Sequence, residues 1–143
     1  ALPHVRAGGR GGSVIITSSA AALKNAPGLC DYVATKGAVI SLAASVANEV
    51  AADRIRVNVI APSVVNTPMV TANTGQLRLF RPDLDAPTVE DCMEVFRAVS
   101  PMGEPWIEPS DVAEAVVYLA GDRSRWISGA VIPVDMGSAV RRV

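Results

Sequence analysis

The segment SVIITSS, residues 13–19, decides the fold class that the sequence predicts. Residues 14–17 within it are all β-branched and follow a glycine-rich stretch at residues 8–12, so we expect a buried strand joined by a turn to a preceding helix. Residues 29–52 then carry apolar side chains at helical spacing, and residues 55–61 form a second strand-like run. Strand, helix and strand in this order predict a parallel sheet with helices packed against it.

Signals for helix caps and chain turns predict three further elements in the rest of the chain. They are a helix capped by Thr88 and reaching Val99, a helix capped by Ser110 and ending at Gly121, and a strand at residues 130–134. Pro133 has no N–H to donate to a strand ladder, so the last strand is expected at an edge of the sheet. The whole chain is therefore expected to form one α/β unit.

The bulk composition argues against several classes of function. Half of the 143 residues are apolar and the formal net charge is −1, which predicts one globular domain without the basic surface that nucleic acids require. No apolar run is long enough to span a bilayer, so no membrane association is expected. Cys30 and Cys92 lie far apart and His4 is the only histidine, so we expect no metal site, no Ser-His-Asp hydrolase and a cytoplasmic protein with reduced thiols.

Polar segments follow both predicted strands at the place where such sheets bind ligands. Thr17-Ser18-Ser19 leaves the first strand and residues 62–67 leave the second, while Tyr32 lies near the start of the long helix. The carboxyl ends of parallel strands meet at one edge of a sheet, and ligands bind there. Each segment alone is more simply a turn or a helix cap, but three of them at one edge favour a functional site.

Tyr32 and Lys36 stand four residues apart, so a helix places them on one face with about 5–6 Å between their β-carbons. A lysine charge about 5 Å from a phenol favours the phenolate by about 3 kcal/mol at an effective dielectric of ~20, and by far less in bulk water. The pair is therefore expected to act as a general acid/base only where it is covered from solvent, with Ser18 or Ser19 holding a substrate oxygen. The alternative is a solvated helix face with an incidental lysine.

The spacing of Ser19, Tyr32 and Lys36 resembles the Ser–Tyr–Lys spacing of the short-chain dehydrogenase/reductases. Other segments that resemble this family are RVNVIAP at 56–62, followed by Val65 and by TPM at 67–69, and SGAVIPVDMG at 128–137. Within the family, PSVVNTPM at 62–69 and DRSRWISG at 122–129 are most similar to the mycofactocin-linked and carveol dehydrogenase-like branch. The resemblance implies NAD(P)-dependent interconversion of a secondary alcohol and a ketone.

The resemblance also implies the residues of the site: Ser19, Tyr32 and Lys36 as catalytic residues, and Tyr32, Lys36, Pro62, Ser63, Val65 and Thr67 as cofactor-binding residues. Ser19 would hold the substrate oxygen, Tyr32 would transfer the proton, and Lys36 would favour the phenolate and bind the nicotinamide ribose. Ser63 departs from the glycine usual in the family, which is tolerable if its φ is negative. The implied cofactor is NAD or NADP, with NAD favoured.

The segment between Met69 and Thr88 is longer than a plain connection, so residues 69–109 are expected to contain a substrate loop or lid. Its large apolar side chains are Met69, Leu77, Leu79, Phe80, Met93, Phe96 and Trp106. They favour a small apolar alcohol or ketone as substrate, although packing of the lid onto the sheet explains them equally well. The resemblance further implies a homo-oligomer, either a dimer or a tetramer.

The resemblance implies that residues 1–143 are the C-terminal part of a single Rossmann-like, doubly wound domain. The family's glycine-rich phosphate loop, the residue that selects NAD or NADP and an asparagine of its proton relay lie in an N-terminal half that this chain is expected to lack. The glycines at 8–12 are no substitute, because they precede a strand whereas a phosphate loop follows one. The first strand is then expected to leave an open edge.

Two other functions stay open. The first is a catalytically silent fragment that acts only as an oligomerisation or interaction module; a glycine-rich βαβ unit encoded upstream would favour the enzyme instead. The second is a sugar-nucleotide epimerase, which shares the Tyr and Lys spacing. It fits poorly, because such proteins usually carry a larger C-terminal domain than the residues after Thr67 provide.

The 143 residues as a free polypeptide are expected to bind NADH feebly, because no phosphate loop is recognised in them. Titration with NADH, followed by fluorescence, measures this affinity. The natural protein that carries the chain is the control. A dissociation constant in the low micromolar range for the free 143-residue polypeptide would contradict the prediction.

Overall fold

The computed structural model describes residues 1–25 and 28–140. Within these residues, three strands form a parallel sheet in the order β1-β2-β3. The strands are β1 (Gly12–Thr17), β2 (Ile55–Pro62) and β3 (Val131–Val134). The helices are α1 (Leu2–Ala7), α2 (Ala21–Lys24), α3 (Cys30–Val50), α4 (Pro68–Thr71), α5 (Thr74–Arg78), α6 (Val89–Ala98) and α7 (Pro109–Ala120). The predicted α/β class with a parallel sheet is confirmed.

The central strand β2 is covered by helices on both of its faces. Val57 and Val59 are fully buried in an apolar cluster that includes residues of α3. The side chain of Arg56, the residue before Val57, points to the other face and donates a hydrogen bond of 2.8 Å to the carbonyl of Leu119 in α7. Because side chains alternate along a strand, α3 and α7 lie on opposite faces of the sheet, as a doubly wound fold requires.

Both outer strands of the described sheet have one partner. Strand β3 pairs only with β2, with Pro133 opposite Ala61, so the predicted edge position of Pro133 is confirmed among the described residues. Strand β1 pairs with β2 from Gly12 opposite Ile55 onward, and the described residues contain no strand along its other edge. Helix α1 precedes β1 through a glycine-rich turn, also as predicted.

The helix boundaries follow local capping chemistry. Helix α3 covers Cys30–Val50 and continues into a 3-10 turn at Ala51–Asp53, close to the predicted bounds. Helix α6 begins after Thr88, whose hydroxyl accepts a hydrogen bond from the Asp91 amide while the Asp91 carboxylate accepts one from the Thr88 amide. This reciprocal capping box confirms the predicted start of α6.

The predicted start of α7 is wrong. The helix begins at Pro109, so Ser110 lies inside its first turn and does not cap it. The amide of Glu108 donates to the Asp111 carboxylate at 2.8 Å, which satisfies the donor before the helix. Pro109 suits the first position because its fixed φ is helical and its missing N–H is not needed there.

Two negative findings bear on function. In the described ranges, no helix combines the length and the apolar character that crossing a membrane requires. Nor do residues 1–25 and 28–140 contain a group of three or more His, Cys, Asp or Glu side chains arranged to hold a metal ion.

The buried side chain of Asn58 forms hydrogen bonds with the backbone of the segment that precedes β3. Its Nδ2 donates to the Ile127 carbonyl at 2.8 Å, and its Oδ1 accepts from the Ala130 amide at 3.0 Å. Asn58→Leu leaves both backbone groups unpaired, so we expect a loss of about 3 kcal/mol in the free energy of unfolding, measured with urea.

Ser13→Ala is the matched control for Asn58→Leu. It removes one half-buried hydrogen bond, from the Ser13 hydroxyl to the Leu119 carbonyl, and is expected to cost about 1 kcal/mol. Equal losses for the two variants would refute the structural role given to Asn58.

Candidate active site

The end of β1 presents two serines with different surroundings. Ser18 is 3% exposed, and its hydroxyl donates to the Lys36 carbonyl at 2.8 Å. The Ser19 hydroxyl accepts from the Ala21 amide at 3.2 Å, and Ser19 lines a cavity. Reasoning from the residues left Ser18 or Ser19 as the candidate to hold a ligand oxygen, and the family resemblance implied Ser19. Of the two serines, only Ser19 lines the cavity.

Tyr32 and Lys36 project from the first turns of α3 on the same face. The Lys36 ammonium lies 5.8 Å from the centroid of the Tyr32 ring. It also donates to the Thr17 carbonyl at 3.2 Å, which holds the lysine against the end of β1. The predicted adjacency of phenol and ammonium is therefore present in the structure, and it is anchored to the strand that carries Ser19.

The solvent exposure of Tyr32 limits what this pair can do by itself. Tyr32 is 38% exposed to solvent. The interaction between the Lys36 charge and the Tyr32 ring, 5.8 Å apart, is weak through water and stronger in a low-dielectric environment. A strong interaction between the ammonium and the phenol therefore requires a ligand or another part of the protein to cover Tyr32.

A cavity of about 520 Å³ opens beyond the carboxyl ends of the strands. Ser19, Tyr32 and Ser63 all contribute to its lining. Most of the remaining surface is apolar and comes from the segment after β2, chiefly Val64, Met69, Val70, Leu79, Phe80 and Phe96. A largely apolar wall with several polar side chains is typical of a site for a small organic ligand.

The segment expected to form a lid contains three helices, α4, α5 and α6. They enclose an apolar cluster of their own, in which the rings of Phe80 and Phe96 meet edge to face with their centroids 4.7 Å apart. Of the apolar residues singled out from sequence, Met69, Leu79, Phe80 and Phe96 line the cavity, whereas Leu77, Met93 and Trp106 pack within the cluster. Part of the set thus faces the cavity, and part packs within the segment itself.

The segment after β2 uses its backbone to hold its shape. The Ser63 amide donates to the Val134 carbonyl at 3.2 Å, and Val65 bridges to Ile107. Ser63 is not among the residues with positive φ, so serine is tolerated where the family usually has glycine. Its hydroxyl is buried without a hydrogen-bond partner in the described residues. Thr67 donates to the Val65 carbonyl at 3.4 Å.

Not every predicted site residue belongs to the cavity. Lys36, Pro62, Val65 and Thr67 lie outside its lining, whereas Ser63 lies in it. Within the described chain the Val65 amide has no acceptor, because the bridge to Ile107 uses the neighbouring Val64 carbonyl and Asn66 amide. That amide and the Thr67 hydroxyl remain compatible with a bound carboxamide group, which offers both an acceptor and donors.

Several lining residues were not predicted from the sequence: Lys24, Leu29, Asp31, Val95, Val99, Ser100, Met136 and Ser138. Met136 and Ser138 follow β3, and the parallel pairing of β3 with β2 returns them to the same edge as Ser63. The signal that could have found them is the rule that all parallel strands of one sheet end at the same edge.

Comparisons with known proteins identify the family of the chain. A family profile described as enoyl-(acyl carrier protein) reductase matches residues 1–139. A putative short-chain type dehydrogenase/reductase of Mycolicibacterium smegmatis is 40% identical over 141 residues, which are 99% of this chain and 50% of that protein. The chain belongs to the short-chain dehydrogenase/reductase family.

Carveol dehydrogenases are among the relatives of this short-chain dehydrogenase/reductase. The (-)-trans-carveol dehydrogenase of Rhodococcus erythropolis is 44% identical over 141 residues, or 99% of this chain and 50% of that protein. The crystal structure of the Mycobacterium avium carveol dehydrogenase in complex with NAD has a TM-score of 0.92 and 41% identity, and covers 98% of this chain and 50% of its own. The chain thus spans about half the length of the relatives it matches.

These relatives confirm two expectations from the sequence. The family and its carveol dehydrogenase-like branch are those that the motifs at 19–36, 56–69 and 122–137 indicated. The match to half of a longer chain also fits the C-terminal portion of a Rossmann-like sheet.

The capping box of α6 predicts a pH dependence of stability. Hydrogen bonds from the Thr88 hydroxyl and the Thr88 amide hold the pKa of the Asp91 carboxyl below its usual value of 3.8. A lowered pKa means that these bonds stabilise the fold above about pH 3.8, and that this contribution is lost as the pH falls through the lower pKa of the folded state. In the parent protein, the urea concentration at which half of the protein is unfolded should fall as the pH is lowered through this acidic range. In Asp91→Asn it should fall less steeply.

Glu94→Gln is the control for the same helix, because the Glu94 carboxylate accepts no hydrogen bond from the described residues. It should keep the acid dependence of the parent protein. A decline that is as steep in Asp91→Asn as in Glu94→Gln would count against the capping box as its source.

Proposed function

We propose that this chain carries the proton-transfer site of an NAD(P)-dependent oxidoreductase that interconverts a secondary alcohol and a ketone. The observation that carries the proposal is that Ser19 and Tyr32 line one cavity while the Lys36 ammonium lies 5.8 Å from the Tyr32 ring. A hydroxyl donor and a phenol at one apolar cavity, with a fixed cation beside the phenol, are the groups that proton exchange with an alcohol oxygen needs.

Each of the three residues has one task in the proposed reaction. The Ser19 oxygen already accepts from the Ala21 amide, so its hydroxyl proton is available for the oxygen of the substrate. The Tyr32 hydroxyl gives its proton to that oxygen during ketone reduction and takes it back during alcohol oxidation. Lys36, held by the Thr17 carbonyl, stabilises the phenolate form of Tyr32 between these events.

The nicotinamide ring supplies or accepts the hydride when the cofactor is bound. The unpaired Val65 amide and the Thr67 hydroxyl would hold its carboxamide, next to Pro62 and Ser63 at the end of β2. Lys36 would reach its ribose. NAD is the favoured cofactor, since the Mycobacterium avium carveol dehydrogenase was crystallised with NAD, and NADP remains the alternative. A bound nicotinamide is also the group that would shield the exposed Tyr32 from water.

The proposed substrate is a small apolar alcohol or ketone, and a cyclic one is favoured. The cavity of about 520 Å³ is mostly apolar, and the relative from Rhodococcus erythropolis is named a (-)-trans-carveol dehydrogenase. Residues 69–109 act as the lid, because this segment supplies a large part of the apolar lining: Met69, Val70, Leu79, Phe80, Val95, Phe96 and Val99.

The second candidate function is a silent oligomerisation or interaction module. It is favoured by apolar side chains that the described chain leaves exposed, among them Leu42 of α3 at 55% and Trp126 at 87%. In the enzyme these surfaces would bind further copies of the same chain. Turnover by the natural protein separates the two functions, because the module has none.

Tyr32→Phe in the natural protein that carries this chain should lower turnover by at least about a hundredfold, since it removes the acidic proton but keeps the ring. Alcohol oxidation with NAD and with NADP measures the effect, with an artificial electron acceptor in parallel for the case of a tightly held cofactor. Binding of the cofactor should be unchanged.

The chain contains its own control, because Tyr118 is its only other tyrosine and is equally exposed, at 39% against 38% for Tyr32. Tyr118 lies on α7, away from the cavity, so Tyr118→Phe should keep full turnover. Undiminished turnover in Tyr32→Phe would remove Tyr32 from the proposed mechanism.

A further inference from the structure

Met136 has a backbone conformation that a methionine rarely adopts. Its φ is +56°, in the left-handed region that favours glycine. The other described non-glycine residues with positive φ are Asn25 and Arg54, which end a short helix and a 3-10 turn. Such conformations cost stability and persist only where the surroundings impose them.

The buried carboxylate of Asp135 imposes this conformation. Asp135 is 8% exposed and accepts hydrogen bonds from the Gly137 amide at 3.0 Å, the Ala139 amide at 2.6 Å and the Ser138 hydroxyl at 3.3 Å. These three donors all follow Met136 in the chain, so they close a tight turn with Met136 at its corner. The turn directs the Met136 side chain to the cavity, which it helps to line.

The Met136 side chain also connects the turn to the lid. The Ser100 hydroxyl, two residues after the end of α6, donates to the Met136 sulfur at 3.4 Å. Ser100 is 6% exposed and lines the same cavity. The thioether thus fills the space between the segment after β3 and the end of the lid helix, within the site that contains Ser19 and Tyr32.

We propose that Met136 is a specificity-determining residue whose side chain limits the size of the ligand that the cavity accepts. This inference rests on the proposed function, in which the ligand is the substrate. Glycine would relieve the positive φ, but it would open the wall of the cavity between Ser100 and the turn. A long, flexible and apolar side chain at this corner therefore excludes bulky ligands and packs against compact ones.

The test compares the binding of two alcohols of different size by equilibrium dialysis, using the natural protein that carries this chain. The probes are carveol, which has one ring, and testosterone, which has four fused rings. Met136→Ala removes the thioether and keeps the backbone preference of a non-glycine residue. It should improve testosterone binding relative to carveol by at least about fourfold, the factor for one more buried methylene group.

Two controls separate the side chain from the backbone. Met136→Leu keeps the apolar bulk and should retain the parent preference for carveol over testosterone. Arg54→Gly relieves the same φ of +56° at a residue that is not part of the cavity lining, so it should leave the preference unchanged. If Met136→Ala does not fold, Met136→Gly, whose backbone prefers this φ, serves in its place with the same expected shift.

An unchanged preference in folded Met136→Ala or Met136→Gly would overturn the proposal, and so would an equal shift in Arg54→Gly. Binding is measured without turnover. The size preference can therefore fail while Tyr32 keeps its proposed role, and the role of Tyr32 can fail while the size preference stands.

Discussion

The hydrogen bonds between the end of β1 and helix α3 are the interactions on which the rest of the site depends. The Ser18 hydroxyl donates to the Lys36 carbonyl, and the Lys36 ammonium donates to the Thr17 carbonyl. Together they fix one turn of α3 against the strand end, which brings Tyr32 to the cavity that Ser19 lines. These two hydrogen bonds therefore fix the geometry of the site in the absence of a ligand.

The parallel ladder extends this arrangement to the other side of the cavity. The Ser18 amide donates to the Ile60 carbonyl and the Ala20 amide to the Pro62 carbonyl, each at 2.8 Å, so the two strand ends stay aligned up to the site. The pairing of β3 with β2 then delivers Met136 to the same edge. Three segments far apart in the chain meet because parallel strands all end on one side of the sheet. The segment at residues 69–109 contributes an apolar cluster of its own beside them.

Elements with a strong local signal were predicted well, and elements that depend on packing were not. The β-branched runs of β1 and β2, the long apolar period of α3 and the Thr88 capping box all carry their structure in neighbouring residues. The start of α7 was misplaced because Ser110 is a favourable cap by residue type, whereas Pro109 and the Glu108 amide bonded to Asp111 begin the helix earlier. Helices α2, α4 and α5 have only four or five residues, too few to show a period, and are held by their tertiary contacts.

By itself the sequence determined the α/β class, the order of the strands along the chain, the family and the pairing of Tyr32 with Lys36, because each of these rests on local patterns and on their order along the chain. The family resemblance already implied Ser19, and only the tertiary structure decided which apolar residues of the segment 69–109 line the cavity and that Met136 belongs to it. The physical reason is that these properties depend on the pairing register between distant strands and on which side chains are buried where the lid meets the sheet. A local pattern contains no information about the partner that a side chain will meet across the sheet.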